Sequence, residues 1–350
     1  MRIGMLASHA CIRMDKVALA LMGQNHDVHA ITNRDPAHWT FYKTRARWAD
    51  LGQCIESIKI YAKEVDIFHC HNEPSWFVTA VKEHCNVPVV LDVHDSFLAR
   101  STPEEAAQRM DAGEYHIRVV TEERNNFQLA DALIFPGAAF GDLICSEFKL
   151  TQPRLTLPSY CTRSMNIYSS QEWLGGLVYE GRVDLPKETK DHPQAHGFRY
   201  CDYHDFALKA QALGLDFHIY ARNDKPFLEV YEKIAFTHTP APYHKLLGLL
   251  SRHDWGLVGN LTPTPEWDVA FPNKLFEYLS AGVPVVALHA RECGAWLKQR
   301  GVGIEVESLE ELCARWGEHT EIRKTILKNR QQWTMDGHIS ELVDLYASLR

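Results

Sequence analysis

The chain has 350 residues, enough for two domains of ordinary size, and 45% of them are apolar. The charged fraction of 23% and the aromatic fraction of 11% are those of a globular protein and exclude a disordered chain. The apolar runs are far shorter than the roughly 18 residues that span a bilayer, and the amino terminus lacks a signal-peptide pattern. We therefore expect a cytoplasmic protein without a transmembrane helix.

The net charge of −8 is spread over both halves of the chain. Residues 1–170 carry 17 − 20 = −3 and residues 171–350 carry 20 − 25 = −5, counting Lys and Arg against Asp and Glu. This balance disfavours a nucleic-acid partner or an anionic membrane, although a small basic groove would suffice for binding nucleic acid. Residues 41–48 interleave three basic with three aromatic residues, which we interpret as a solvated helix face.

Nine cysteines, an odd number without a CxxC pair, predict reduced thiols rather than disulfides or a zinc site.

Short apolar or β-branched runs alternate with helical stretches along the whole chain. In the first half these runs lie at residues 2–7, 27–32, 65–70, 87–93, 132–135 and 154–157. In the second half the alternation starts again at residues 176–179, 217–220, 254–258, 283–287 and 303–306. The pattern predicts an α/β fold with two mostly parallel, doubly wound sheets.

The polar segment 158–172 is the predicted boundary between two domains. We expect one Rossmann-like domain at residues 1–165 and a second at residues 172–332, with a hydrophilic loop at residues 186–193. Leu342, Leu345, Tyr346 and Leu349 follow helical spacing. They predict a buried terminal helix at residues 333–350.

The most informative segment is Pro-Asn-Lys-Leu-Phe-Glu-Tyr-Leu-Ser-Ala-Gly-Val-Pro-Val-Val at residues 272–286. Proline at its start and glycine near its end bracket a helix of about ten residues. The amides of the helix start, with Lys274, can hold an anion such as a diphosphate. One turn later, Glu277 can accept two hydrogen bonds from a vicinal diol such as ribose. A surface helix on which Glu277 pairs with Asn273 or Lys274 is the alternative interpretation.

This segment resembles the nucleotide-binding helix of GT-B fold glycosyltransferases, specifically those of the family 4 type. Residues 65–72, residues 87–95 and the run Tyr179-Glu-Gly-Arg182 are similar to strands of that family. The resemblance implies two Rossmann-like domains facing across a cleft, with the terminal helix crossing back to the first. It also implies transfer of a sugar from a nucleotide diphosphate sugar, held by the second domain, to an acceptor hydroxyl at the first.

Carried over to this sequence, the match places Glu277 on the ribose and gives Arg182 a catalytic role on the diphosphate. The other donor-binding residues that it implies are Lys187 or Lys190, Pro272, Asn273, Lys274 and Leu275. Fixed positive groups and a helix start stabilise a departing nucleoside diphosphate, so we expect neither a metal ion nor another cofactor. Retention of anomeric configuration is implied by the resemblance alone.

The strand end Asp92-Val-His-Asp95 is the second informative place. His94 resembles the family's catalytic histidine, which lies close to the transferred sugar. A histidine there can donate from a neutral ring or take a proton near neutral pH. We expect Arg13, Asn72 and Asp95 on the acceptor side.

His69 and His71 lie two residues apart on a predicted strand, a spacing that also suits a metal site. The resembling family has similar histidines without a metal ion, so none is expected here.

Two departures from the family pattern leave other functions open. The loop at residues 8–13 lacks paired glycines, and Val269 stands where the family has a glutamate. A non-catalytic protein that binds a sugar nucleotide or a partner on this fold would fit both features. A nucleotide-sugar epimerase shares the architecture, but no additional acid/base pair indicates one. The acceptor is not identified by the sequence.

Overall fold

The structure is a computed structural model that describes residues 1–9, 11–34, 41–71, 76–100, 122–165, 172–184, 201–221 and 225–350. The chain divides into two compact units. Met1–Thr162 and Thr334–Arg350 form the first unit, and Arg163–Trp333 forms the second. Within the described ranges, no helix combines the length and the apolar character needed to cross a membrane.

The first unit contains a sheet of seven strands. In chain order these are β1 (Arg2–His9), β2 (Asp27–Arg34), β3 (Thr44–Arg47), β4 (Ile67–His71), β5 (Val89–Asp92), β6 (Ala132–Phe135) and β7 (Arg154–Thr156). All neighbouring pairs are parallel, in the order β3-β2-β1-β4-β5-β6-β7. The order reverses between β1 and β4, and ligands of open α/β sheets bind beyond the carboxyl ends at such a point.

Helices connect these strands. They are α1 (Ile12–Gly23), α2 (Leu51–Tyr61), α3 (Phe77–His84), α4 (Phe97–Arg100), α5 (Asn125–Leu129) and α6 (Ala138–Phe148). The central strands β4, β5 and β6 are buried at every residue, as expected where helices cover both faces of a parallel sheet.

The second unit repeats this plan. Its strands are β8 (Leu177–Gly181), β9 (Phe217–Ala221), β10 (Phe236–His238), β11 (Trp255–Gly259), β12 (Val285–Leu288) and β13 (Gly303–Val306). They are parallel in the order β10-β9-β8-β11-β12-β13, so the order reverses between β8 and β11. The two sheets therefore share one topology.

The helices of the second unit are α7 (His204–Ala212), α8 (Lys225–Tyr231), α9 (Tyr243–Leu250), α10 (Pro265–Val269), α11 (Asn273–Ser280), α12 (Arg291–Arg300), α13 (Leu309–Ala314) and α14 (His319–Asn329). Short 3-10 helices lie at Arg163–Met165, Trp316–Glu318 and Arg330–Trp333.

The last helix, α15 (Met335–Ser348), returns to the first unit and packs against α1. It buries Ile339, Leu342 and Tyr346, while Leu345 and Leu349 are half-buried. The predicted apolar stripe therefore forms the face of α15 that contacts the first unit.

Residues 41–48 do not form the predicted helix face. Thr44–Arg47 is instead the edge strand β3, with Tyr42 and Trp48 buried at its two ends. The basic residues Arg45 and Arg47 alternate along β3 and are exposed. Alternation with a period of two suits a strand, and charges on an edge strand discourage pairing with another chain.

All nine cysteines lie in the described ranges and are free thiols, five of them buried.

Candidate functional site

In the second unit, the predicted helix at residues 272–286 is α11, two residues shorter than expected. Pro272 is its N-cap residue in extended conformation, and Gly282 follows its end with a left-handed φ of 76°. Leu275 has no exposed surface, and its amide bonds back to the Pro272 carbonyl. The apolar face of α11 therefore packs inward and fixes its first turn near the strand ends.

Glu277 is fully buried in α11. The hydroxyl of Tyr243, the first residue of α9, donates to its Oε1 at 2.9 Å. This burial excludes the exposed surface helix that was the alternative interpretation of the segment. A carboxylate that is held by a hydrogen bond can accept further hydrogen bonds from a diol without reorganising.

Lys274 lies at the carboxyl end of β8. Its Nζ is 3.9 Å from the centre of the Tyr179 ring, and a Cβ on Gly181 would be 3.2 Å from the same atom. Gly181 is the last residue of β8, and Arg182 follows it directly. The Tyr179 hydroxyl donates to the Arg182 carbonyl at 2.6 Å, which fixes the backbone there.

Burial raises the pKa of the Cys201 thiol to about 12, while the cations Lys274 and Arg182 oppose this rise and Glu266 adds to it. The fold places Lys274 Nζ beside Gly181, the neighbour of Arg182, although Arg182 and Lys274 are 92 positions apart (274 − 182).

The structure describes some of the other predicted residues of this region and not others. Lys187 and Lys190 lie in residues 185–200, outside the described ranges. Val269 is the last residue of α10, and Asn273 is the first of α11. Sequence reasoning missed Tyr243, because no spacing relates this tyrosine to Glu277, 34 positions later.

In the first unit, a buried ion pair lies at the carboxyl ends of β1 and β5. Arg13, near the start of α1, donates from Nε to both carboxylate oxygens of Asp92, at 2.9 and 2.8 Å. Both side chains are at most 1% exposed. Arg13 Nη1 and Nη2 are buried and have no hydrogen-bond partner in the part of the chain that the structure describes, so these donors can serve a ligand.

Three histidines surround the Asp92 carboxylate. Ring nitrogens of His69, His71 and His94 lie 3.5, 3.7 and 3.8 Å from its oxygens. His69 also pairs with the hydroxyl of Tyr346 in α15, at 2.5 Å. His71 and Asp92 are register partners on β4 and β5, which explains why the cluster forms.

The pKa values of the residues in this cluster are shifted in different directions. Burial opposes ionisation of Asp92, but Arg13 and the histidines hold its pKa well below the ordinary value. Burial also opposes the charged form of His94. Asp92 and Cys11 together have the larger, opposite effect, so the pKa of His94 is raised. Burial and the neighbouring His69 lower the pKa of His71. The cluster therefore favours the charged form of His94 and the neutral form of His71.

The remaining predictions for this unit are placed as follows. Asp95 is half-buried and directly follows His94, while Asn72 lies in residues 72–75, outside the described ranges. One ligand atom each from His69, His71 and Asp92 lies within 4.8 Å of the others. The Arg13 guanidinium already occupies Asp92, and this cation disfavours a metal ion in the same place.

No protein-family model matches the chain, and no curated protein matches it in sequence. Solved structures do match it in fold. Sucrose-phosphate synthase from Thermosynechococcus elongatus gives a TM-score of 0.73 at 13% identity, covering 100% of this chain and 99% of that one. The glycosyltransferase WaaG, involved in lipopolysaccharide biosynthesis, gives a TM-score of 0.62 at 12% identity, covering 98% of this chain and 99% of that one.

An alpha-glucosyltransferase in complex with UDP-glucose and DNA containing an abasic site gives a TM-score of 0.62 at 10% identity, covering 99% of each chain. The likeness extends over the whole length in all three comparisons. It confirms the predicted α/β fold class with two parallel sheets. By its fold, the chain is similar throughout to the GT-B glycosyltransferases.

Proposed function

We propose that this protein is a glycosyltransferase that moves a sugar from a nucleoside diphosphate sugar to an acceptor hydroxyl. In this reaction the bond between the anomeric carbon and the diphosphate oxygen breaks. A bond from that carbon to the acceptor oxygen forms, and the acceptor hydroxyl releases its proton to the departing diphosphate or to water. The observation that carries the proposal is the buried Glu277 carboxylate, held by Tyr243 one turn after Lys274.

Glu277 is the proposed ribose ligand. A carboxylate accepts hydrogen bonds only, and its two oxygens match the two hydroxyls of a vicinal diol. The hydrogen bond from Tyr243 fixes the carboxylate orientation before the ligand arrives, so less freedom is lost on binding.

Arg182 and Lys274 are the proposed diphosphate ligands. Both lie at the carboxyl end of β8, next to the switch point, the place between β8 and β11 where the strand order reverses. The amides of Asn273 and Lys274 at the start of α11 add donors for an anion. Fixed positive groups of this kind stabilise the charge that develops on the leaving diphosphate, which supports a reaction that needs no metal ion.

His94 is the proposed catalytic residue of the first unit. Its raised pKa supports a role as a cation that donates hydrogen bonds near the reacting groups, rather than as a base. Asp92 holds that charge and is itself neutralised by Arg13. Arg13 and Asp95 are proposed to contact the acceptor, and the free Nη donors of Arg13 favour an acceptor with oxygen ligands.

The test is a thermal-shift panel of UDP, GDP, ADP, CDP and dTDP without added Mg²⁺ or Mn²⁺. A nucleotide at 100 times its Kd stabilises the native state by about 2.7 kcal/mol, a shift of roughly 5 to 10 °C for a unit of this size. We expect one nucleotide to stabilise the wild type. Glu277→Gln, which keeps the shape but removes the charge, should lose most of that shift.

The matched control is Glu310→Gln, a change of the same kind at an exposed carboxylate of the second unit. It should retain the full shift. The proposal fails if no nucleotide stabilises the wild type, or if Glu277→Gln binds as the wild type does. Nucleotide binding without hydrolysis or transfer of any donor sugar would indicate a non-catalytic binding protein instead.

A further inference from the structure

The second unit contains a cluster of three histidines that the proposed function does not use. His218 lies on β9, His238 ends β10, and His253 lies two residues before β11. One ring nitrogen of each lies within 4.8 Å of the others. His218 Nδ1 is 3.0 Å from His238 Nε2, and the rings of His218 and His253 have centroids 4.5 Å apart.

A glycine makes this approach possible. His218 lies on β9 and His253 precedes β11, and β8 runs between these two strands in the sheet. The His218 ring passes over Gly176 at the start of β8. A Cβ on Gly176 would lie 3.0 Å from His218 Nε2 and 2.6 Å from the Asp216 carbonyl, and its φ is 75°. Only glycine leaves room for the ring there.

The tautomer of His253 is fixed by its surroundings. Its Nδ1 lies 2.7 Å from the Gly175 carbonyl oxygen, which can only accept, so Nδ1 carries the proton. The lone pair is therefore on Nε2. Histidines that bind metal ions have this arrangement, in which the second ring nitrogen donates to a backbone carbonyl and orients the ring.

His218 carries a polar atom that the protein does not satisfy. Its Nδ1 is the nitrogen that faces His238, while its Nε2 is buried and has no hydrogen-bond partner among the described residues. A ligand at Nδ1 leaves the proton of the neutral ring on Nε2.

The charges around the cluster permit a cation. The Arg252 guanidinium, next to His253 in the chain, is paired with the Glu172 carboxylate at 2.6 Å, which offsets its positive charge. Neutral imidazoles are the form that binds metal ions.

We propose that His218, His238 and His253 bind one zinc ion as a structural site that ties together β9, β10 and the segment before β11. Imidazole nitrogens suit zinc, with Zn–N distances of about 2.0–2.1 Å. At tetrahedral angles, two such nitrogens lie about 3.3 Å apart, close to the 3.0 Å between His218 and His238. The third ligand nitrogen lies within 4.8 Å of the other two.

The fourth ligand is water or the Tyr220 hydroxyl, which lies 3.3 Å from His253 Nε2. His218 and His253 lie near the amino ends of β9 and β11, and His238 lies on the edge strand β10, whereas Arg182 and Lys274 lie at the carboxyl end of β8. The zinc site is therefore separate from the proposed donor site, and this inference does not rest on the proposed function.

The test is a calorimetric titration of zinc into chelator-treated full-length protein. We expect one zinc ion per wild-type chain and a rise in melting temperature with zinc. His238→Gln removes one ligand at a half-buried position and should weaken zinc binding by about 100-fold or more. The control is His204→Gln, which changes a half-buried histidine outside the cluster and should bind as the wild type does.

Circular dichroism in chelator checks that His238→Gln is folded, and His253→Gln serves as a second ligand variant. Two results would overturn the proposal. One is a wild type that binds no zinc. The other is zinc binding that persists in His238→Gln but is lost in His71→Gln, which would assign the ion to the first unit.

Discussion

Three buried carboxylates differ in the side chain that each one contacts. Asp92 is paired with the Arg13 cation, and Glu277 accepts a hydrogen bond from Tyr243. Asp15 accepts a hydrogen bond from the neutral hydroxyl of Tyr42 at 2.7 Å. The sequence indicated Glu277 through its motif. It gave no signal for the partners, since Tyr243 lies 34 positions before Glu277 and Asp92 lies 79 positions after Arg13.

The Asp15 carboxylate makes a specific pH dependence testable. Burial raises its pKa from 3.8 to about 7, and the Tyr42 hydrogen bond only partly opposes this. Between about pH 4 and pH 7 the folded state therefore holds a proton that the unfolded state has lost. Asp15 then makes the free energy of unfolding fall as the pH rises through this window, by roughly 4 kcal/mol at most.

Asp15→Asn keeps the oxygen that accepts from Tyr42 and cannot ionise. We expect it to be more stable than the wild type at pH 8 and similar to it at pH 4.5. Urea unfolding at pH 4.5, 6 and 8 measures the difference. Parallel stability profiles for the two proteins would show that Asp15 does not titrate in this range.

At the scale of elements, every inner strand could be predicted, whereas two of the four edge strands could not. The eleven predicted runs correspond to β1, β2, β4 to β9 and β11 to β13 within a few residues. The two missed strands, β3 and β10, each lie at one edge of a sheet and have no fully buried residue. β3 and β10 are not covered on both faces, so their sequences lack the apolar run that reveals an inner strand.

The packing of α11 on its sheet yields a prediction at this scale. A Cβ on Gly256 of β11 would lie 2.4 Å from the Tyr278 ring of α11. The Tyr278 hydroxyl accepts from the Glu180 amide and donates to the Val178 carbonyl, so the ring cannot move freely. We expect Gly256→Ala to lower the free energy of unfolding by about 1–3 kcal/mol or more.

The matched control is Gly248→Ala, within α9, where a Cβ would meet no atom within 4 Å. Alanine is the better helix former, so this variant should gain about 0.5–1 kcal/mol. Urea unfolding of both variants distinguishes overpacking from a general effect of replacing glycine. Equal effects of the two substitutions would contradict the packing argument.

At the scale of the whole molecule, two units repeat one strand order, and each places polar residues beyond its switch point. The first unit is completed by α15, from the far end of the chain. This helix buries Met335, Ile339, Leu342 and Tyr346. Each such side chain contributes about 1.5–3 kcal/mol, so together they rival the stability of an ordinary domain.

Deleting residues 334–350 should therefore unfold the first unit and leave the second folded. Limited proteolysis followed by mass spectrometry measures this, with residues 163–333 expected to stay protected and residues 1–162 to be cleaved. Deleting only residues 349–350 is the control and should change little. Equal protection of both units in the long deletion would show that α15 is dispensable.

The sequence by itself determined the alternation of strands and helices, the parallel sheets and the position of the helix that carries Lys274 and Glu277. These follow from local patterns, because apolar periodicity and the flanking proline and glycine act over a few residues. Only the tertiary structure decided that Tyr243 holds Glu277, that Arg13 neutralises Asp92, and that three distant histidines converge at Gly176. Such contacts join residues far apart in the chain, and burial, which sets their charge states, exists only once the chain has folded.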